Sequence, residues 1–270
     1  FLPEVWAFLG VGYSVLFLRF AVRIKTVGIR GFQGDDLLVA MVALLYGFDA
    51  GSVYIIYYSG TNVEVGARPA NRTLSSDEIA QFEYGSKMEL AAWYSYTALI
   101  WCLKGAMLCF FKRMTMGLWQ QRLVNWLAGV CVVTYLSVFL TITLGCQPFQ
   151  KNWQQVPQVV PDPGRICAFK PQNIIVTTIM NVLTDSALLS IPLPLLWRLQ
   201  IPMRQKFVIG IFLCSGLFVI TAALVRAIVT LGSHPSAVTI NRWGVIETIV
   251  GIITVNIPIL RPVFNMSFWK

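Results

Sequence analysis

Six ionisable side chains sit inside stretches of the chain that are otherwise apolar: Asp49, Glu89, Lys104, Asp185, Arg226 and Glu247. A charge in hydrocarbon surroundings is costly. Where it persists, it marks a pathway, a ligand pocket or a paired structural site. A carboxylic acid in an apolar pocket can donate a proton near neutral pH. Asp185 and Asp49 are therefore the candidate general acids if the chain is an enzyme. Lys104 and Arg226 can pair with these carboxylates or hold an anionic group of a ligand.

The helical rise sets their depths. Counted from Asp36, Arg198 and Arg261 respectively, Asp49, Asp185 and Glu247 lie about 19, 19 and 21 Å from one face, so three carboxylates share a level. Arg226 ahead of Leu231 and Glu247 after Arg242 are equally far from the other face and are expected to pair. Lys104 lies about 12 Å from the first face counted from Lys112. Its stem can reach up or down, with Asp185 or Asp36 as partner. Asn181 stands one helical turn from Asp185 and shares its side of the helix. Asp49 has no evident partner and is expected to face a pocket, a water or an ion. Glu89 is expected at the bundle mouth, in water. The polar core predicted from these spacings is Asp49, Lys104, Asn181, Asp185, Arg226 and Glu247. Trp93, Tyr94, Tyr96 and Trp101 read as packing or interface residues. Asp35 and Asp36 read as caps at a helix start, and His234 as solvated.

The elements that carry these groups are seven apolar runs, near 3–24, 36–58, 90–111, 123–145, 173–197, 207–231 and 243–264. Each is long enough to span a bilayer, which takes about 20 mostly apolar residues. The chain is 56% hydrophobic and 12% charged, against about 45–50% and a quarter for a soluble domain. Only helices or a closed barrel satisfy their backbone in lipid. Barrel strands are shorter and alternate, so the expected fold is all-α: a single seven-helix bundle domain over residues 1–270. The first run begins almost at Phe1, carries Glu4 and Arg19 and has no small-residue cleavage site. It reads as a true span, and the chain as an excerpt of a longer one.

Lys and Arg in the short loops favour the amino end outside and the carboxyl end in the cytoplasm. The net charge of +9 is then largely membrane orientation, and no basic docking face points to nucleic acid. Asn71-Arg72-Thr73 is a glycosylation sequon in a loop that this topology puts outside. Cys146 and Cys167 flank the next outer loop, where oxidising conditions favour a disulfide across the bundle mouth. Cys102, Cys109, Cys131 and Cys214 lie in helices and read as packing residues. No metal-ligand spacing appears. Ser75 and Glu78 stand at capping-box spacing and open a short outer turn that leads through Gly85 into the third span.

The ordered set of Asp35-Asp36, Lys104 in "LKGAMLCFFKRM", Cys146-x-Pro148 with Trp153, and Cys167 resembles the fungal rhodopsin-domain family of seven-helix membrane proteins. So do Asn181, Asp185, Pro192-x-Pro194 and Trp197, then Lys206, Gly216, Arg226, Trp243 with Glu247, and "IPILRPVF". The resemblance covers nearly the whole chain. It implies a multi-pass protein of a fungal membrane, expected to be the plasma membrane. The family includes candidate G-protein-coupled receptors, so a heterotrimeric G protein enters as an implied partner beside the lipid bilayer and an unidentified small molecule. Retinal proteins attach the chromophore to a lysine of the seventh helix. This chain has none there, so no retinal cofactor is expected.

Three functions follow. The first is a receptor-like sensor with an outward-facing polar pocket. The second is a membrane-embedded cyclase or isomerase of a lipid-soluble metabolite, with Asp185 or Asp49 as general acid. The last is a transporter, which the absence of a visible inverted repeat disfavours.

Overall fold

The computed structural model describes residues 1–63, 75–115, 120–154, 167, 170–192, 203–232 and 237–260. The sequon at Asn71, Pro194, Trp197, His234 and the segment after Leu260 lie outside the described residues.

Seven helices long and apolar enough to cross a membrane are present. They are α1 (Leu2–Val27), α2 (Gly34–Ser59), α3 (Ser76–Met114), α4 (Gln120–Leu144), α5 (Pro171–Ser190), α6 (Met203–Leu231) and α7 (Ala237–Leu260). Neighbours in sequence pack as neighbours in space, and α1 closes the ring against α7. α3 runs through the middle, touching α2, α4, α5 and α7. Its apolar window is 61% buried, against 22% for that of α4. That is why α3 carries so many polar side chains: inside the bundle they meet partners, whereas on α4 they would meet lipid.

The packing follows the apolar pattern. Leu16, Val39, Leu99, Val138, Ile142 and Ile252 are fully enclosed. Phe17, Leu44, Trp126, Leu183 and Ile228 point outward. In a soluble protein such an exposed apolar girdle would be a liability. Here it is the surface that acyl chains cover.

α3 departs from expectation. The outer turn expected from Ser75 to Gly85 is not separate from the span but continuous with it. One helix of 39 residues begins at Ser76, about 58 Å long against a hydrocarbon core of about 30 Å. The Ser75–Glu78 capping box does form, with Glu78 N–H donating to Ser75 Oγ at 3.2 Å and Ser75 N–H donating to Glu78 Oε2 at 3.0 Å. Gly85 does not break the helix. It packs against the carbonyl of Gly60 so closely that a Cβ would overlap it. The residue serves close approach of two backbones, not flexibility.

The disulfide Cys146–Cys167 is formed. The face of the bundle on which it lies is called the disulfide face below.

Candidate functional site

Four helices bring their polar side chains to one hub. Glu247 of α7 is fully buried. Its Oε2 accepts from Tyr96 Oη of α3 at 2.6 Å, and its Oε1 accepts from Asn181 Nδ2 of α5 at 2.6 Å. Arg226 Nε of α6 stands 3.5 Å from Oε2, and the guanidinium lies 4.6 Å from the centre of the Tyr96 ring. The predicted Arg226–Glu247 pair is therefore present, but as one spoke of a hub. Tyr96, expected to be a packing residue, is one of its members. Its hydroxyl sits among charges, and a buried Tyr hydroxyl needs such a partner.

A second tier lies further along α3 and α5. Lys104 pairs with Asp185 rather than with Asp36. Lys104 Nζ also donates to the backbone carbonyl of Asn181 at 3.2 Å. Asn181 thus links the tiers, its side chain on Glu247 and its carbonyl on Lys104. A cavity of about 50 Å³ adjoins this tier, with walls that include Lys104, Asp185, Glu247, Gly216 and Thr254.

Asp49 is set apart. It accepts from Ser95 Oγ at 3.2 Å and lines a smaller cavity of about 30 Å³ with Glu89, Tyr96, Arg226 and Asn241. Each cavity has room for about one or two waters. The site is closed as it stands: a ligand of ordinary size needs the helices to part.

Glu89 is buried, not wetted, and pairs with Lys170 at 3.3 Å. Lys170 is itself 1% exposed. Nearby, Asn62 Nδ2 donates to the carbonyl of Asn152 at 3.0 Å. These contacts, with the disulfide, tie the segment after α4 and the start of α5 across the bundle mouth.

Not every hydrogen-bonding group in the hub is used. Arg226 Nε and Nη2, Asn181 Oδ1 and Asp185 Oδ2 are buried without a hydrogen-bond partner. A buried donor left unmade costs roughly 1–3 kcal/mol, more for a charged group. Two such donors on one guanidinium, beside a cavity, make Arg226 an unfilled donor site, open to a hydrogen-bond acceptor.

A second ionic cluster stands at the opposite end. Arg19 of α1, 1% exposed, donates to Asp35 Oδ2 at 2.7 Å, Asp36 Oδ1 at 3.2 Å and Asn256 Oδ1 at 3.1 Å. Arg23 forks onto Asp36, with Nη2 at 2.6 Å from Oδ2. Arg113 at the end of α3 reaches Asp35 Oδ2 at 2.7 Å and Gln33 Oε1 at 2.8 Å. Asp36 also caps α2, accepting from Gln33 N–H at 3.0 Å. The capping role expected of Asp36 is thus part of a larger one: the two aspartates join α2 to α1 and α3, and Arg19 extends the cluster to α7.

Among the described residues, no group of three or more His, Cys, Asp or Glu side chains is placed to hold a metal ion. The helix α7 contains no lysine.

Seven apolar helices around a buried ion network define an integral membrane protein of the seven-helix type. The chain belongs to the fungal rhodopsin domain family, which matches it over residues 18–266. It is similar to a SAT4 family membrane protein of Emericella nidulans, with 27% identity over 136 residues, 50% of this chain and 34% of that protein. The match thus spans about a third of that relative's length. No solved structure matches.

Proposed function

We propose that the protein is a receptor-like sensor of the plasma membrane, with its amino end and the disulfide face outside. A small amphiphile enters from that face and engages Arg226. One observation carries this reading: the two buried donors of Arg226 that make no hydrogen bond, beside the cavity that Asp49 and Glu89 also line. The ligand that fits offers an acceptor, such as a carboxylate or carbonyl, to Arg226. It offers hydroxyl or amine donors to Asp49 and Glu89. Its apolar body would lie along Val53, Trp93 and Val245.

Such a ligand competes with Glu247 for Arg226. Loosening that hub shifts α6 and α7 relative to α3 and α5, because Glu247 bonds to both of the latter. In this reading the opposite face couples to a heterotrimeric G protein, a partner suggested by analogy with the candidate receptors of the family. The reading has no retinal, since α7 offers no lysine to bind it.

The test is a thermal-shift screen of the purified protein against amphiphiles with and without an acceptor group. Ligand at a hundred times its Kd stabilises a protein by about 2.7 kcal/mol, which corresponds to roughly 5–10 °C for a chain of this size. Acceptor-bearing compounds are expected to give such shifts, and Arg226→Met to remove them. If no amphiphile shifts the wild type, the sensor reading is wrong.

Asp185 favours a second reading. It borders the 50 Å³ cavity, and its Oδ2 has no hydrogen-bond partner, which leaves one carboxyl oxygen open to a substrate of a membrane cyclase or isomerase while Lys104 holds the other. Conversion of a polyketide or terpenoid precursor that survives Asp185→Asn would remove that residue from such a mechanism.

A further inference from the structure

The largest cavity described, about 560 Å³, is not in the polar core. It is a groove on the outer side of α2, α3 and α4. Small residues hollow it: Ala98 and Gly105 on α3, and Ala128 on α4. A Cβ on Gly105 would come within 3.1 Å of the Leu38 side chain, so a larger residue there would narrow this floor and push Leu38 aside.

Its walls are almost entirely apolar, and the exception is at one end. There Lys112 from the last turn of α3 and Asn125 from the second turn of α4 line it together. Arg122, one turn before Asn125 and exposed, extends the basic end. The neighbouring cation Arg113 is engaged by Asp35 and Gln33. Lys112 is exposed, and no carboxylate among the described residues pairs with it. One of two adjacent cations is thus used inside the protein and the other is left at the groove. From Lys112 to Ala98 the groove runs about 21 Å along α3, enough to cover one leaflet of hydrocarbon, about 15 Å.

We propose that this groove is a binding site for one anionic glycerophospholipid. An acyl chain lies between α2, α3 and α4. The phosphate sits at Lys112 and Asn125, and the extra headgroup charge faces Arg122. Basic sites between transmembrane helices are suited to such headgroups. The bound lipid would brace α3 against α4 at the end of the bundle where Arg113 joins the ionic cluster. This inference is independent of what enters the polar core.

Photo-crosslinking in vesicles tests it. The full chain is reconstituted in phosphatidylcholine vesicles doped with a phosphatidylserine or a phosphatidylcholine probe, each carrying a diazirine on the acyl chain. Crosslinked peptides are then mapped. The phosphatidylserine probe is expected to label the α3 and α4 groove peptides about five-fold more than the phosphatidylcholine probe, the effect of one basic residue at an anionic site. Arg122→Gln, at an exposed residue, should abolish that preference, and Lys112→Gln, at the shared phosphate, should weaken labelling by both probes. Ala128→Phe, which fills the groove, should reduce labelling by both probes. Equal labelling by the two probes would overturn the proposal. So would labelling spread evenly over outward residues such as Phe17 and Ile228, or a preference that survives Arg122→Gln.

Discussion

Glu247→Ala is expected to lower the thermal unfolding midpoint of the detergent-purified protein by roughly 10 °C. The substitution removes one side chain but strands three partners. Tyr96 and Asn181 lose their acceptor, and Arg226 is left as a buried cation with no counter-charge at the hub. Breaking a buried pair by deleting one member costs about 3–5 kcal/mol, and each kcal/mol moves the midpoint of a chain this size by about 2–4 °C. The surface pair Arg242–Glu4, half exposed at 54% and 43%, supplies the control. Such pairs are worth about 0–1 kcal/mol, so Glu4→Ala should move the midpoint by only a few degrees. A scanning measurement on the three proteins decides. Equal shifts for Glu247→Ala and Glu4→Ala would mean that the hub carries little of the stability.

The second large effect is expected at the other end of the bundle. Arg19→Ala removes the guanidinium that joins Asp35, Asp36 and Asn256, from the one helix that closes the ring against α7. Its cost is again about 3–5 kcal/mol. Asp36 keeps Arg23 and Asp35 keeps Arg113, so the loss falls mainly on the α1–α7 contact. Arg19→Lys should recover only part of it, because an ammonium cannot reach three acceptors as a planar fork does. Midpoints measured for both variants test this, together with protease cleavage after α1. Full recovery by lysine would show that charge alone, not fork geometry, holds the cluster.

The seven spans are legible in the sequence because apolar runs of bilayer length have no competing explanation. Depth counting also brings Arg226 to Glu247, since helical rise is fixed and the two lie at one level, but it leaves Lys104, at about 12 Å against about 19 Å for Asp185, with Asp185 or Asp36 as partner. It leaves the hub incomplete at Tyr96, because aromatic residues on a central helix have packing roles that residue type alone does not separate from hydrogen bonding. Glu89 is misplaced into water because its partner, Lys170, follows a proline-rich stretch whose path no periodicity sets. The Arg19 cluster is hidden for another reason. Asp35 and Asp36 satisfy a capping rule on their own, and that rule gives no cause to look for Arg19, Arg113 and Asn256 on three other helices. The extended α3 is missed at Gly85, where close contact with Gly60 overrides the usual meaning of glycine in a helix.

The competition between Glu247 and a ligand for Arg226 is tested most directly by calorimetric binding of a compound found in the screen to two variants. Each retains part of the hub: in Arg226→Met, Glu247 keeps Tyr96 and Asn181, and in Glu247→Gln an amide oxygen can still accept. Arg226→Met should weaken binding about 10-fold or more, the loss of a charged hydrogen bond. Glu247→Gln should tighten it, because the competing carboxylate is gone. If both substitutions weaken binding alike, Arg226 and Glu247 form a structural pair and the ligand binds elsewhere.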